Sequence, residues 1–94
     1  MIRVRVRTIL TLKKILGKGE VEFSLKEGTT LEDLVSTMVS QWRELAPHLI
    51  EPGNVSIPRV RFMINGRDIA FLDRMGTVLE DEDEVLMLPP VSGG

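Results

Sequence analysis

Cysteine is missing from this 94-residue sequence, and histidine and tryptophan occur once each. Without cysteine the chain has no disulfide framework, no thiolate nucleophile and no thiolate ligand for a metal. The single histidine, His48, is too little for a histidine-ligated metal site, so no bound metal is expected. Any sulfur that this chain handles therefore cannot be carried as a persulfide on one of its own side chains.

Long apolar runs and an excess of one charge are also lacking. No run approaches the roughly 20 apolar residues that span a bilayer, and the arginine-rich N-terminus has no secretory apolar region. The formal net charge of -2 gives no case for nucleic acid as a partner. We therefore expect one cytoplasmic domain over residues 1–94, with neither a membrane nor a nucleic acid as its partner.

Alternation of apolar and polar residues predicts the strands. Five stretches show it or are continuous apolar runs next to a turn: residues 2–8, 20–26, 59–64, 67–71 and 85–88. Asn65-Gly66 predicts a tight hairpin between the third and fourth, because both residues tolerate positive φ. The first two strands are expected to pair antiparallel, joined by a short helical turn over residues 11–16.

One amphipathic helix is predicted between the second and third strands. Thr30 is its expected N-cap, with Asp33 completing a capping box. The apolar stripe that follows includes Met38 and Trp42, which we assign to the core. Pro47 is expected to stop the helix, and residues 48–58 are predicted to form a long loop, with His48 on the surface.

The C-terminal segment has an unusual order of residues. The apolar strand at residues 85–88 is followed by Pro89-Pro90-Val91-Ser92-Gly93-Gly94. The prolines favour an extended exit from the body of the protein, and the glycines fit a channel too narrow for a side chain. Residues 89–94 are therefore predicted to form a flexible tail that delivers a terminal carboxylate into the pocket of another protein.

The last third of the chain resembles the ubiquitin-like sulfur carriers of the MoaD/ThiS family. The resemblance rests on Asn65-Gly66, Leu79, Asp81, Asp83-Glu84-Val85 and the Pro-Pro-Val-Ser-Gly-Gly ending, which is most similar to the small subunit of molybdopterin synthase. It implies an α+β, ubiquitin-like β-grasp fold: a mixed sheet of about five strands under one main helix, with the first and last strands parallel at the centre.

The resemblance also implies a chemistry and a set of partners. An E1-like adenylating enzyme similar to MoeB or ThiF would activate Gly94 with ATP, and a sulfur donor, a sulfurtransferase or cysteine desulfurase, would convert it to a thiocarboxylate. Gly93, Ser92, Val91 and Pro90 would be read by that partner as an extended segment. A MoaE-like large subunit of molybdopterin synthase would supply catalysis, because the chain offers no phosphate loop or nucleophile–base pair of its own. It is expected to bind no cofactor itself.

A partner surface is predicted on the sheet face opposite the helix. If Val85 and Met87 face the helix, alternation turns seven side chains outward: Arg3, Arg5, Arg7, Arg61, Met63, Leu86 and Leu88. Exposed apolar residues rimmed by arginine are typical of interfaces. The acidic run at residues 80–84 has two interpretations, a solvated turn or a steering surface. The family usually places glycine at Glu82, so we expect the local turn geometry to differ.

Three alternatives stay open at this stage. The sulfur acceptor would be molybdopterin for molybdenum or tungsten, but carriers for cysteine or thiamine synthesis share the chemistry. A ubiquitin-like modifier joined to lysines through Gly94 would use the same adenylation. A β-grasp interaction module with an accidental Gly-Gly ending would tolerate extra residues after Gly94.

Overall fold

A computed structural model describes residues 1–89, with the backbone alone at Ser56. The helices and strands are β1 (Ile2–Thr8), α1 (Leu10–Leu16), β2 (Glu20–Leu25), α2 (Leu31–Gln41), α3 (Ala46–Leu49), β3 (Ile50–Glu51), β4 (Asn54–Pro58), β5 (Arg61–Ile64), β6 (Arg67–Asp68) and β7 (Glu84–Leu88). Short 3-10 turns follow α2 and β6. The predicted segment at residues 90–94 lies outside the described residues.

A mixed five-stranded sheet forms the centre of the fold. Its strand order is β2-β1-β7-β5-β6. The outer pairs are antiparallel, whereas β1 and β7 run parallel, with Val6 opposite Val85. The first and last strands are therefore neighbours, as predicted, and the expected β-grasp arrangement is confirmed.

The core lies between one face of this sheet and α2. Its most deeply buried members come from alternate positions of β1 and β7 and from the apolar stripe of α2: Val4, Val6, Val85, Met87, Leu31, Leu34, Val35 and Met38. Leu79 is also buried, as predicted. Trp42 is half-buried and its ring meets Phe23 edge-on, with centroids 6.3 Å apart. Burial on alternate residues confirms which strand face points inward.

The start of α2 follows the prediction, but its end does not. Thr30 Oγ1 accepts from the Asp33 N–H at 3.2 Å, and Asp33 Oδ2 accepts from the Thr30 N–H at 3.1 Å, which completes the capping box. The helix ends at Gln41, and Trp42 leaves helical geometry with ψ of 83°. Pro47 was expected to stop the helix; instead it occupies the first turn of α3, where its missing N–H costs nothing.

The predicted loop at residues 48–58 is wrong. The segment contains the end of α3 and a two-stranded sheet of β3 and β4, with Glu51 opposite Asn54. Pro52-Gly53 makes the turn, and Gly53 takes the positive φ of 74° that glycine allows. Leu49 and Ile50 are buried in the core, and Arg59 donates to Pro47 O at 3.1 Å. The buried side chains of Leu49 and Ile50 and the turn at Gly53 therefore give this segment a regular structure, although its apolar residues follow neither a helix nor a strand period.

The return strand after Asn65-Gly66 is shorter than expected. The hairpin itself is confirmed, with Ile64 opposite Arg67 and positive φ at both turn residues. However, β6 ends at Asp68, because the Asp68 carboxylate accepts from the Ala70 N–H at 2.9 Å and starts a 3-10 turn. The predicted strand at residues 67–71 is therefore a two-residue strand followed by that turn.

Candidate functional site

β7 ends at Leu88, and the described part of the chain ends at Pro89; we call this point the chain exit, because the sequence predicts that the tail begins there. Because β1 and β7 are parallel, their C-terminal ends lie at the same edge of the sheet, with Thr8 opposite Met87. Pro89 follows β7 and is exposed. The predicted reactive residue Gly94 and the predicted recognition residues Gly93, Ser92, Val91 and Pro90 lie outside the described residues, so their roles stay predictions.

The seven predicted interface residues come together on the outer face of the sheet. Strand register places one row across all five strands, from β2 to β6: Glu20, Arg7, Leu86, Met63 and Asp68. Arg61 stands opposite Leu88 in the next row toward the end of β7. Met63, Leu86 and Leu88 are half-buried and the four arginines are exposed. Met63, Leu86 and Leu88 therefore form an apolar strip along β7. Charged residues flank it on both sides, Arg7 and Glu20 on one and Arg61 and Asp68 on the other.

Ion pairs hold part of this face in place. Arg7 Nη1 lies 3.4 Å from Glu84 Oε1, and Arg61 Nε donates to Asp68 Oδ2 at 2.7 Å. The hydrogen bond from the Ala70 N–H, followed by that from Arg61, holds the pKa of Asp68 below its ordinary value. The two arginines are therefore oriented before any partner arrives, although exposed pairs add little stability.

An exposed apolar pair that the sequence reading missed lies beside the chain exit. Ile9 is 41% exposed and lies between β1 and α1, and Leu10, the first residue of α1, is 66% exposed. Leu10 has a φ of 54°, a left-handed conformation that costs leucine about 1–2 kcal/mol. The alternation of β1 ends at Thr8 and α1 begins at Leu10, so the pair belongs to no regular period. The sequence pattern therefore does not predict that the two side chains are exposed.

The acidic run at residues 80–84 forms a hydrogen-bonded turn. Asp81 Oδ1 accepts from the Arg3 N–H at 2.8 Å. Asp83, which is only 8% exposed, accepts from the Glu80 N–H and from the Asn65 side-chain amide, each at 2.8 Å. The turn interpretation thus accounts for both aspartates, whereas steering by the exposed glutamates stays a prediction.

Glu82 corrects one expectation about this turn. Its φ is 72°, so glutamate adopts the left-handed conformation at the position where the family usually has glycine. The Glu82 N–H donates to Arg3 O at 2.8 Å, and the carboxylates of its two neighbours are fixed by their own hydrogen bonds. These contacts hold Glu82 at a positive φ, a conformation that the expectation took glutamate to resist.

Two further kinds of feature are absent from the described part of the chain, a metal-binding cluster and a membrane-spanning helix. Within residues 1–89, no group of three or more His, Asp or Glu side chains is arranged to hold a metal ion. Over the same range, no helix is both long enough and apolar enough to cross a membrane. The features that stand out are the sheet face, the chain exit, and the Ile9–Leu10 pair between them.

A family model and a curated relative both match nearly the whole chain. The family model described as "ThiS family" matches residues 9–94, which include both the described exit and the Gly-Gly ending. Small archaeal modifier protein 3 of Haloferax volcanii is 33% identical over 91 residues, covering 97% of this chain and 98% of that protein.

Solved structures show the same fold. Small archaeal modifier protein 1 of Methanosarcina acetivorans aligns with a TM-score of 0.83 at 29% identity, covering 100% of this chain and 98% of that one. A putative molybdopterin converting factor subunit 1 of Pyrococcus furiosus aligns with a TM-score of 0.79 over 97% of this chain and 100% of that one, and its 24% identity supports the fold alone.

Proposed function

Since this chain belongs to the ThiS family of small ubiquitin-like sulfur carriers and modifiers, we propose that its Gly94 carboxylate is the reactive group. The observation that carries the proposal is the continuous family match, which runs through the sheet and the exit at Pro89 to residue 94. The exposure of Pro89, directly after β7, supports it, because a tail that continues from an exposed residue would be accessible to another protein.

The proposed chemistry takes place in two steps. A Gly94 carboxylate oxygen attacks the α-phosphate of ATP, pyrophosphate leaves, and an acyl-adenylate forms. A hydrosulfide equivalent from a sulfur donor then attacks the acyl carbon, the C–O bond breaks, and AMP leaves with its electron pair. The product is a thiocarboxylate, which stores sulfur without a cysteine. ATP is bound and used by the partner, an E1-like adenylating enzyme similar to MoeB or ThiF.

Intact mass tests this function directly. Protein purified from its own cells is expected to contain a species heavier by the exchange of one oxygen for one sulfur, mapped to the peptide that holds Gly94. A variant with one residue added after Gly94 is the matched control, because it keeps residues 1–89 unchanged. If the carboxylate form alone appears after incubation with ATP, a sulfur source and the native activating enzyme, the proposal is wrong.

The sulfur acceptor that we propose is a molybdopterin precursor, with this chain as the small subunit of molybdopterin synthase. The Pro-Pro-Val-Ser-Gly-Gly ending supports this choice. A MoaE-like large subunit would supply the catalytic groups, and its contact surface would include the strip of Met63, Leu86 and Leu88. Reconstitution with that subunit and thiocarboxylated carrier should convert the precursor; activity with a cysteine-synthesis or thiamine-synthesis acceptor instead would reassign the pathway.

A protein modifier is the second candidate, and one comparison favours it. The relative that matches over 97% of this chain is named as a small archaeal modifier protein. In this role the Gly94 acyl-adenylate would end as an amide on a target lysine. Mass spectrometry of trypsin-digested cell protein distinguishes the two roles. Arg74 is the last tryptic site of this chain, so conjugation leaves residues 75–94 joined to the target lysine, whereas sulfur transfer leaves no such remnant.

A further inference from the structure

The Ile9–Leu10 pair has exposure and strain that folding alone does not explain. Both side chains are apolar and exposed, Leu10 more than Ile9, and Leu10 takes a φ of 54° that asparagine or glycine would adopt at lower cost. A residue selected for stability of the free protein would not be leucine here. A role in binding would account for a side chain that costs stability twice, through strain and through exposure.

The pair lies between the chain exit and the sheet face. On one side, Ile9 and Leu10 line a depression together with His48, Val60 and Pro89. On the other side, they line a second depression with Arg7, Lys13 and Leu86, which belongs to the sheet face. The apolar strip along β7 is therefore continuous with the pair around the end of the sheet.

The length of chain after Pro89 limits which surfaces a partner touches. Five residues follow Pro89, and fully extended they reach at most about 18 Å. A protein that takes Gly94 into a pocket must therefore approach the exit to within this distance. The exposed apolar side chains beside Pro89 are those of Ile9 and Leu10.

We propose that Ile9 and Leu10 form the docking contact for the enzyme that adenylates Gly94. This inference rests on the proposed function, in which adenylation precedes both sulfur transfer and lysine conjugation. The activating enzyme is therefore the partner that both candidate functions, sulfur carrier and protein modifier, require. We expect the matching surface of the enzyme to be apolar around its tail pocket and acidic at the margin, because Arg7 and Lys13 line the depression beside the pair.

Steady-state adenylation, followed as ATP–pyrophosphate exchange with the activating enzyme of the same organism, tests the proposal. Leu10→Asn keeps a residue that tolerates positive φ and removes the apolar side chain. It should raise KM for the carrier about tenfold with little change in kcat, as expected for one lost contact of hot-spot size. The same variant should raise Tm by about 4 °C, because the strain is relieved.

Val78→Ser is the matched control. Val78 is 53% exposed, but it lies at the other end of β7, where it lines a depression with Glu80 and Asp83. Its KM should equal that of the wild type. Ile9→Ser, which leaves the Leu10 backbone unchanged, should raise KM in the same direction as Leu10→Asn.

Each outcome has one meaning. Unchanged KM in Leu10→Asn and Ile9→Ser, with a wild-type chain that supports exchange, overturns the docking proposal alone. Normal adenylation with a loss of transfer to the acceptor overturns it too, and assigns the pair to the acceptor. If the wild-type chain supports no exchange, the proposed function itself fails, and the docking proposal fails with it.

Discussion

The two ends of β7 are held in different ways. At its start, side chains supply backbone hydrogen bonds: Asp83 and Asn65 accept from the Glu80 and Glu84 N–H groups, and Asp83 also accepts from Asn65. At its end, the neighbouring Thr8 is only 3% exposed, yet its hydroxyl has no hydrogen-bond partner among residues 1–89.

The same contrast appears in the backbone. Both ends have non-glycine residues at positive φ, Glu82 and Asn65 at the start and Leu10 at the other end. Glu82 is fixed by a hydrogen bond to Arg3 O and by its neighbours' carboxylates, whereas Leu10 is an exposed apolar residue. Strain at the start of β7 belongs to a satisfied structural turn, and strain at its end belongs to a surface that another molecule can cover.

The largest expected effect comes from Asp83→Ala. It leaves the Glu80 N–H and the Asn65 amide without their acceptor in a nearly buried position, which should cost about 3 kcal/mol of unfolding free energy. Urea denaturation measures it. Asp81→Ala, which removes one bond on an exposed residue, is the control and should cost about 1 kcal/mol. Equal losses of stability in the two variants would show that the hydrogen bonds of buried Asp83 stabilise the start of β7 no more than the bond of exposed Asp81 does.

Glu82→Gly should act in the opposite direction. Glycine adopts a φ of 72° without the steric cost that glutamate bears, and the larger entropy of the unfolded glycine chain offsets part of the gain. We expect stabilisation of about 1 kcal/mol in the same urea assay. Glu82 lies before the start of β7, at the end opposite Pro89. Adenylation should therefore stay at the wild-type level under the turn interpretation, and a lower rate would support steering by the exposed glutamates. A destabilised variant would show that the glutamate side chain has a structural role.

Thr8→Val tests the hydrogen bonding at the end of β7, where Thr8 lies opposite Met87. Valine has a similar shape and removes a buried hydroxyl that has no partner in the described part of the chain. The expected gain is about 0.5 kcal/mol, measured by thermal denaturation at neutral pH. Thr8→Ala is the control for lost packing and should be less stable than both. Destabilisation by valine would mean that the hydroxyl is satisfied after all.

The smallest effect concerns pH on the sheet face. The pKa of Asp68 is held below its ordinary value, first by the Ala70 N–H and then by Arg61. Because the folded-state pKa is lowered, the contribution of Asp68 to stability is present above the ordinary value and is lost as the pH falls through the folded-state pKa. NMR titration should show that Arg61→Gln raises this pKa only in part; a full return to the ordinary value would contradict the leading role of Ala70.

The elements with a clear local signal were predictable from the sequence. Alternation in β1 and β2, the capping box at Thr30 and the Asn65-Gly66 hairpin depend on neighbouring residues, and all of them appear in the structure. The order of the central strands followed from the family resemblance.

The misses have a common physical cause. Pro47 begins a helix and Pro52-Gly53 turns a small hairpin, because buried Leu49 and Ile50 anchor a segment without regular period. The Ile9–Leu10 pair was missed since exposure of an apolar residue depends on what lies above it in three dimensions. The sheet-face residues were placed together correctly by alternation, while their role as an interface remains a prediction.

The parallel pairing of β1 with β7 has a consequence for biosynthesis. Arg7 and Leu86 are opposite each other although almost the whole chain separates them, and contacts of such long range form late. Until β7 has emerged from the ribosome, β2 is the one strand neighbour that β1 has in the central sheet, and an isolated two-stranded hairpin is marginally stable in water. Ile9, Leu10 and Pro89 therefore come together only in a finished molecule, and an activating enzyme that recognised all three would ignore incomplete or misfolded chains.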